Sequence, residues 1–181
     1  MSLIKPDQAD IDQRASAVRM IVFDVDGVLT DGSLFYDNHG EEYKAFNSRD
    51  GHGIKMLRAS GVETGIITGR TSQIVLHRAR NLGIGHIHQG AEDKLVALQH
   101  LLKEVGLSPE QIAYMGDDVV DLPVMNRCGL AITVPDAPVE VKARSHVITV
   151  AAAGRGAARE ACELIMRAQG TWAAQLALYD R

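Results

Sequence analysis

The chain has 181 residues, of which 46% are hydrophobic and 23% charged, and its formal net charge is −4 at pH 7. This length suits a single domain with a continuous core, and the lack of a basic block argues against nucleic acid as a partner. No apolar run approaches the roughly 20 residues that cross a bilayer, and the isolated Cys128 and Cys162 form neither a disulfide framework nor a zinc motif.

The two ends of the chain differ from its middle. Residues 1–16 form a predicted polar arm, which lacks the apolar core and small-residue cleavage site of a secretory signal. We therefore expect a cytoplasmic protein. Residues 17–170 read as one domain, and residues 171–181 as a C-terminal tail.

The domain opens with a predicted buried strand over residues 19–24, an apolar run that ends in acids. A β-hairpin over about residues 33–46 is predicted next. Its two short segments of strand-forming residues, 34–36 and 42–46, flank the turn sequence Asp-Asn-His-Gly. The hairpin is a small insertion after the first strand.

Helices and strands then alternate to the end of the domain. Alternation at this spacing predicts right-handed crossovers and a doubly wound parallel α/β sheet with helices on both faces. Ligands bind such a sheet beyond the carboxyl ends of its strands. The predicted strands are 64–67, 86–89, 112–115, 131–134 and 146–150. The predicted helices are 53–60, 72–81, 93–105, one that follows strand 112–115 and ends at about residue 127, and one beyond 150.

Polar clusters follow three of the predicted strands, and a lysine opens one helix. Each cluster alone has an ordinary explanation, because Asp, Thr and Gly are common at strand exits and helix caps. The fold, however, gathers all of them at one edge, where carboxylates would repel one another without a cation. Ligation by oxygen alone favours Mg²⁺. The clusters are Asp24 to Gly27, Thr68 to Arg70, Lys94, and Gly116 to Asp118 with Asp121.

These groups suit hydrolysis of a phosphate monoester. Asp24 would attack phosphorus and form an aspartyl phosphate, and Asp26 would protonate the leaving oxygen and then activate water. Thr68 and Lys94 would hold the phosphoryl oxygens. Asp117 would bind the metal, while Asp118 and Asp121 would order its waters or the lysine.

Four motifs carry a resemblance to a known superfamily. The segments DVDGVLTDG, IITGR, Lys94 and GDDVVD stand in the order of the motifs of haloacid dehalogenase superfamily phosphatases. The resemblance implies Asp24 as nucleophile, Asp26 as acid/base, Thr68 and Lys94 at the phosphate, and metal ligation by Asp24, the Asp26 carbonyl and Asp117. The intervals between motifs are too short for a cap domain, which implies the capless subclass.

A longer resemblance covers nearly everything from Met20 to Gly170. The segment TDGSLFYDNHGEEYKAFNSRDGHGIKMLRASG, with IITGR and GDDVVDLPVM, is similar to the 3-deoxy-D-manno-octulosonate 8-phosphate phosphatases of lipopolysaccharide precursor synthesis. That implies a phosphorylated sugar acid as substrate, and a homotetramer built from hairpins in which a neighbouring subunit completes each pocket. The implied substrate or loop contacts are Lys44, Arg49, Asp50, Gly51, Gly69, Arg70 and Arg155.

Some of these implied contact residues also have ordinary structural explanations. Lys44 is equally explained as a solvated hairpin charge, and the loop at Arg155 as an ordinary helix start. For the substrate carboxylate, Arg70 and Arg49 are favoured because a guanidinium can bind a carboxylate at two points.

Three alternative functions remain open at this stage. A sialic acid 9-phosphate or a related nonulosonate shares the carboxylated sugar design. A phospho-receiver-like regulatory domain also uses a phosphorylated Asp, magnesium, Thr and Lys, but it is expected to place its acidic metal pair first and its phosphorylated Asp mid-chain. A catalytically competent domain that regulates a biosynthetic partner is the third.

Overall fold

Six parallel strands form the central sheet of this computed structural model, which describes residues 7–180. The strands are β1 Met20–Phe23, β4 Glu63–Ile67, β5 His86–His88, β6 Ile112–Met115, β7 Leu130–Thr133 and β8 Val147–Ile148. Their order in the sheet is β5-β4-β1-β6-β7-β8, with β1 central and the chain winding outward in both directions. The prediction of a doubly wound parallel sheet is confirmed.

The predicted hairpin is a separate antiparallel pair, β2 Phe35–Tyr36 and β3 Glu42–Tyr43. Its strands are shorter than predicted, and no second domain covers the sheet edge within residues 7–180. Four of its large apolar side chains are about half exposed: Leu34, Phe35, Tyr36 and Tyr43.

Eight α-helices accompany the strands in the described part of the chain. The helices are α1 Gln8–Ala17, α2 Ser48–Ala59, α3 Gln73–Leu82, α4 Lys94–Val105, α5 Leu122–Met125, α6 Val139–Lys142, α7 Ala157–Ala168 and α8 Trp172–Ala177. Helix α7 packs against α1 and α2, while α4 packs against α5. Within residues 7–180, no helix combines the length and the apolar character that a membrane crossing requires.

Four segments add detail to the prediction or differ from it. The predicted arm is helical from Gln8 in its described part, and the predicted tail contains α8. Helix α2 begins at Ser48 instead of residue 53, because the side chain of Asn47 caps it by accepting hydrogen bonds from two backbone N–H groups. The predicted helix after Gly116 is a 3₁₀ turn, Val119–Asp121, followed by the single turn α5.

Candidate active site

The order of the strands determines where the motif residues meet. Strand β1 lies between β4 and β6, so the residues that follow these three strands share one edge of the sheet. Asp24 follows β1, Thr68 follows β4 and Asp117 follows β6. They line a cavity of about 460 Å³ whose other walls include Asp26, Gly69, Arg70, Lys94 and Asp118.

Lys94 is the central cation of this cavity. It is the first residue of α4, is only 4% exposed, and follows Asp93, whose side chain caps the helix. Its Nζ donates to Asp24 Oδ2 at 2.5 Å and to Asp121 Oδ1 at 2.6 Å. Burial lowers the pKa of Lys94, but the charges of the two carboxylates outweigh burial and raise that pKa above its usual value.

Asp121 is fully buried and accepts four hydrogen bonds. Its Oδ1 accepts from Lys94 and from the Tyr114 hydroxyl, at 2.6 Å each. Its Oδ2 accepts from the backbone N–H groups of Asp117 at 2.9 Å and Asp118 at 3.1 Å. Gly116 leaves room for this carboxylate, because a Cβ there would overlap the Asp121 side chain.

Three carboxylates approach one another closely enough to share a cation. Asp24, Asp117 and Asp121 each offer an oxygen within 4.8 Å of the others. We exclude Asp121 as a ligand because its four acceptor positions are filled by donors. The Asp117 carboxylate, by contrast, receives no hydrogen bond from any described residue, which leaves its oxygens available.

The protonation of this cluster also fits a cation. Burial, opposed by Lys94 and reinforced by Asp121, raises the pKa of Asp24 to about 6. Burial, with the charges of Asp121 and Asp24, raises the pKa of Asp117 to about 7. These two neighbouring carboxylates are costly to ionise without a counter-charge. A hard divalent cation bound by their oxygens would stabilise the ionised forms.

Gly27 brings the catalytic loop against Asp117. Its φ of 83° lies in the left-handed region, and a Cβ there would overlap the Asp117 carboxylate. Asp26 directly precedes Gly27, so this close approach is compatible with the predicted use of the Asp26 carbonyl as a ligand.

The hairpin places charged side chains next to Asp26, which lines the same cavity. Lys44 pairs with Asp26 Oδ1, and its Nζ lies 3.2 Å from Glu42. The Lys44 side chain is 1% exposed, which rules out the reading of a solvated hairpin charge. Arg70 Nε lies 3.7 Å from Asp26 Oδ2, and its Nη2 lies 2.9 Å from Glu42. Asp26 is therefore flanked by two cations.

Three predicted substrate contacts lie elsewhere within this chain. Arg49 is exposed on the first turn of α2 and does not line the cavity. Asp50 is 2% exposed, and its carboxylate accepts hydrogen bonds from the backbone N–H groups of Arg159 and Gly156 at the start of α7. Gly51 packs against Arg78 and Leu82. Within this chain, Asp50 and Gly51 therefore take part in helix capping and packing, and neither lines the cavity.

Arg155 lies beside the cavity but does not line it. It lines a second depression of about 510 Å³, together with Gly27, Asp31 and the carboxylate-bearing Asp117 and Asp118. Since Asp117 and Asp118 also line the first cavity, the two depressions meet at this pair. The Arg155 guanidinium is 3.7 Å from Asp31.

Two participating residues were missed by the sequence analysis. Glu42, on the hairpin, forms ion pairs with both Lys44 and Arg70. Tyr114, within β6, donates a hydrogen bond to Asp121. A lone tyrosine in an otherwise aliphatic strand was the available signal for Tyr114, because a buried hydroxyl requires a partner.

Comparison with known proteins decides the family. A family model for haloacid dehalogenase-like hydrolases matches residues 86–160. The 3-deoxy-D-manno-octulosonate 8-phosphate phosphatase KdsC of Escherichia coli (strain K12) is 46% identical over 165 residues, covering 91% of this chain and 88% of its own. The chain belongs to this phosphatase family.

Solved structures of the 3-deoxy-D-manno-octulosonate 8-phosphate phosphatase family agree with the fold. That of Moraxella catarrhalis, in complex with a magnesium ion, a phosphate ion and KDO, is 43% identical with a TM-score of 0.94, covering 96% of this chain and 99% of its own. The cobalt-bound form from Haemophilus influenzae is 40% identical with a TM-score of 0.87, covering 91% of this chain and 99% of its own.

Proposed function

We propose that the protein is a magnesium-dependent phosphomonoesterase that hydrolyses 3-deoxy-D-manno-octulosonate 8-phosphate to the free sugar acid and phosphate. The observation that carries the proposal is the cavity in which Asp24 contacts Lys94 while Asp117 keeps free carboxylate oxygens. The family relationship supports the choice of substrate.

The first chemical step uses Asp24 and Asp26. One carboxylate oxygen of Asp24 attacks phosphorus, and the bond from phosphorus to the sugar oxygen breaks. Asp26 gives its proton to that leaving oxygen. Lys94, held between Asp24 and Asp121, and Thr68, which lines the same cavity, hold the phosphoryl oxygens in place.

The second step reverses the role of Asp26. Its carboxylate takes a proton from water as the water attacks phosphorus, and the bond between phosphorus and Asp24 breaks, which releases phosphate. Lys44 and Arg70 flank Asp26 and restrict where its carboxylate points. Mg²⁺, held by Asp24, Asp117 and the Asp26 carbonyl, supplies positive charge to the phosphoryl group when bound.

The substrate carboxylate needs a cation outside the phosphoryl pocket. Arg70 lines the cavity, and Arg155 lies on the adjoining depression, so within one chain these two are the nearer candidates. Arg49 remains a candidate only for a neighbouring subunit's pocket, because it does not line the cavity of its own chain.

Assembly and location form a further part of the proposal. The half-exposed apolar side chains of the hairpin suit burial between subunits, in keeping with a homotetramer whose pockets are completed by neighbours. Light scattering of the purified protein tests this, and a monomer at working concentration would contradict it. Cell fractionation tests the expected cytoplasmic location.

A phosphate-release panel tests the substrate. The panel compares the octulosonate 8-phosphate with a sialic acid 9-phosphate, an aldose phosphate, a nucleotide and a phosphopeptide, each with Mg²⁺ and with EDTA. We expect the octulosonate ester to give the highest kcat/KM, only with Mg²⁺, and Asp24→Asn to show no turnover. A higher kcat/KM for the sialic acid ester would overturn the proposal that the octulosonate 8-phosphate is the substrate. A stable aspartyl phosphate without turnover would instead favour a receiver-like regulator.

A further inference from the structure

Tyr114 carries a hydroxyl into the centre of the protein. It lies in β6, between β1 and β7, and none of its surface is exposed. The other residues of this strand are Ile112, Ala113 and Met115. A phenylalanine ring would fill the same space without a polar atom to satisfy, so the hydroxyl must be explained by what it binds.

The hydroxyl donates to a single carboxylate. Tyr114 Oη lies 2.6 Å from Asp121 Oδ1, the same oxygen that accepts from Lys94. Asp121 Oδ2 accepts instead from the backbone of the Asp117–Asp118 turn. One carboxylate thus joins the lysine that contacts the nucleophile to the turn that carries Asp117, and Tyr114 binds the Lys94-facing oxygen of that carboxylate from within the sheet.

We propose that Tyr114 is a positioning residue for phosphoryl transfer: its hydroxyl holds Asp121 so that Lys94 stays directed at Asp24. The inference rests on the proposed phosphatase function. Tyr114 does not line the cavity and therefore acts only through Asp121 and Lys94.

Loss of the hydroxyl has a defined consequence. In Tyr114→Phe, Asp121 keeps three of its four hydrogen bonds, but Oδ1 keeps Lys94 as its only donor, so that oxygen is no longer held from the side of β6. The Lys94 ammonium, which lies 2.5 Å from Asp24 Oδ2, is then held less firmly by Asp121. A phosphoryl group whose oxygens rely on that ammonium is bound less well in the transition state than before.

The matched control is Thr64→Val. Thr64 lies in β4, is 1% exposed, and its hydroxyl has no hydrogen-bond partner among the described residues. Both substitutions remove one buried hydroxyl from a parallel strand of the same sheet and keep the side-chain shape. Only Tyr114→Phe breaks a chain of contacts that leads to Asp24.

The experiment compares kcat and KM for phosphate release by the Mg²⁺-loaded wild type, Tyr114→Phe and Thr64→Val. We expect Tyr114→Phe to lower kcat about tenfold with KM changed less than twofold, the pattern of an interaction lost in the transition state. Thr64→Val should match the wild type in kcat. Unaltered circular dichroism and thermal midpoint establish that the variants fold, and a Tyr114→Phe enzyme with kcat within twofold of the wild type would overturn the inference.

A second measurement separates positioning from a general structural effect. Orthovanadate binding is measured by calorimetry with Lys94 present and in a Lys94→Gln background. We expect Tyr114→Phe to weaken binding about tenfold in the first case and to have no effect in the second. Equal weakening in both backgrounds would overturn the inference, because Tyr114 would then not act through Lys94. Failure of the proposed function itself is recognised separately, since the wild type would then release no phosphate from any ester of the panel.

Discussion

The most informative perturbation of stability is Asp117→Asn in the metal-free protein. The pKa of Asp117 is raised from 3.8 to about 7. A raised carboxyl pKa means that the folded protein holds a proton that the unfolded chain has released, so stability falls as pH rises from about 4 through 7. Above pH 7 the ionised side chain destabilises the fold in full.

The size of the effect follows from that shift. One pKa unit corresponds to about 1.4 kcal/mol, which would give roughly 4 kcal/mol for the whole shift. Asp117 is only half-buried, so solvent screening reduces the expected effect to about 2 kcal/mol. In EDTA at pH 8, Asp117→Asn should therefore be more stable than the wild type by about that amount, and at pH 5 by only about 0.8 kcal/mol.

Urea unfolding at the two pH values is the assay. The control is Asp136→Asn, an exposed position on the rim of the adjoining depression, which should change stability by less than about 0.5 kcal/mol at both pH values. With Mg²⁺ added, the wild type should gain more stability than Asp117→Asn. An Asp117→Asn protein that is less stable than the wild type in EDTA at pH 8, or whose advantage is the same at pH 5, would contradict a raised pKa of Asp117.

Three other predictions concern separate parts of the molecule. Asp50→Ala should lower the free energy of unfolding by about 2 kcal/mol, because two N–H groups at the start of α7 lose their acceptor; denaturant titration checks this, and a change below ~0.5 kcal/mol would contradict it. Asp26→Ala should reduce kcat by about 10²-fold or more on a poor leaving group, and near-normal turnover of such an ester would count against the acid/base role. Lys44→Met keeps the buried stem but removes the charge next to Asp26; we expect kcat to fall more than stability, and a wild-type kcat would show that the ion pair is dispensable.

The motifs made the catalytic edge predictable from sequence. Asp24, Thr68 and Asp117 each end an apolar run, and the carboxyl ends of neighbouring parallel strands lie together whatever the details of packing. Lys94 was predictable because it opens a helix immediately after a capping Asp. The start of α2 was not, since Gly51 and Gly53 weaken the helical pattern that Asn47 caps.

Long-range side-chain contacts explain the rest of the difference. Asp50 looks in sequence like a loop carboxylate, and only the packing of α2 against α7 turns it towards the backbone of a helix a hundred residues further along the chain. The pairing of Lys44 with Asp26 likewise depends on how the hairpin folds back over the sheet edge. Neither contact produces a periodic pattern in the sequence, so hydrophobic periodicity and secondary-structure propensity do not reveal these contacts.

Chemical trapping of the covalent intermediate identifies the residue that attacks phosphorus. The enzyme is mixed with its phosphorylated sugar acid and Mg²⁺, quenched during turnover and treated with borohydride, which reduces an acyl phosphate to an alcohol, and its peptides are then sequenced by mass spectrometry. We expect a homoserine at position 24, and none when substrate is omitted. Reduction at a different carboxylate, or continued turnover by Asp24→Asn, would contradict it.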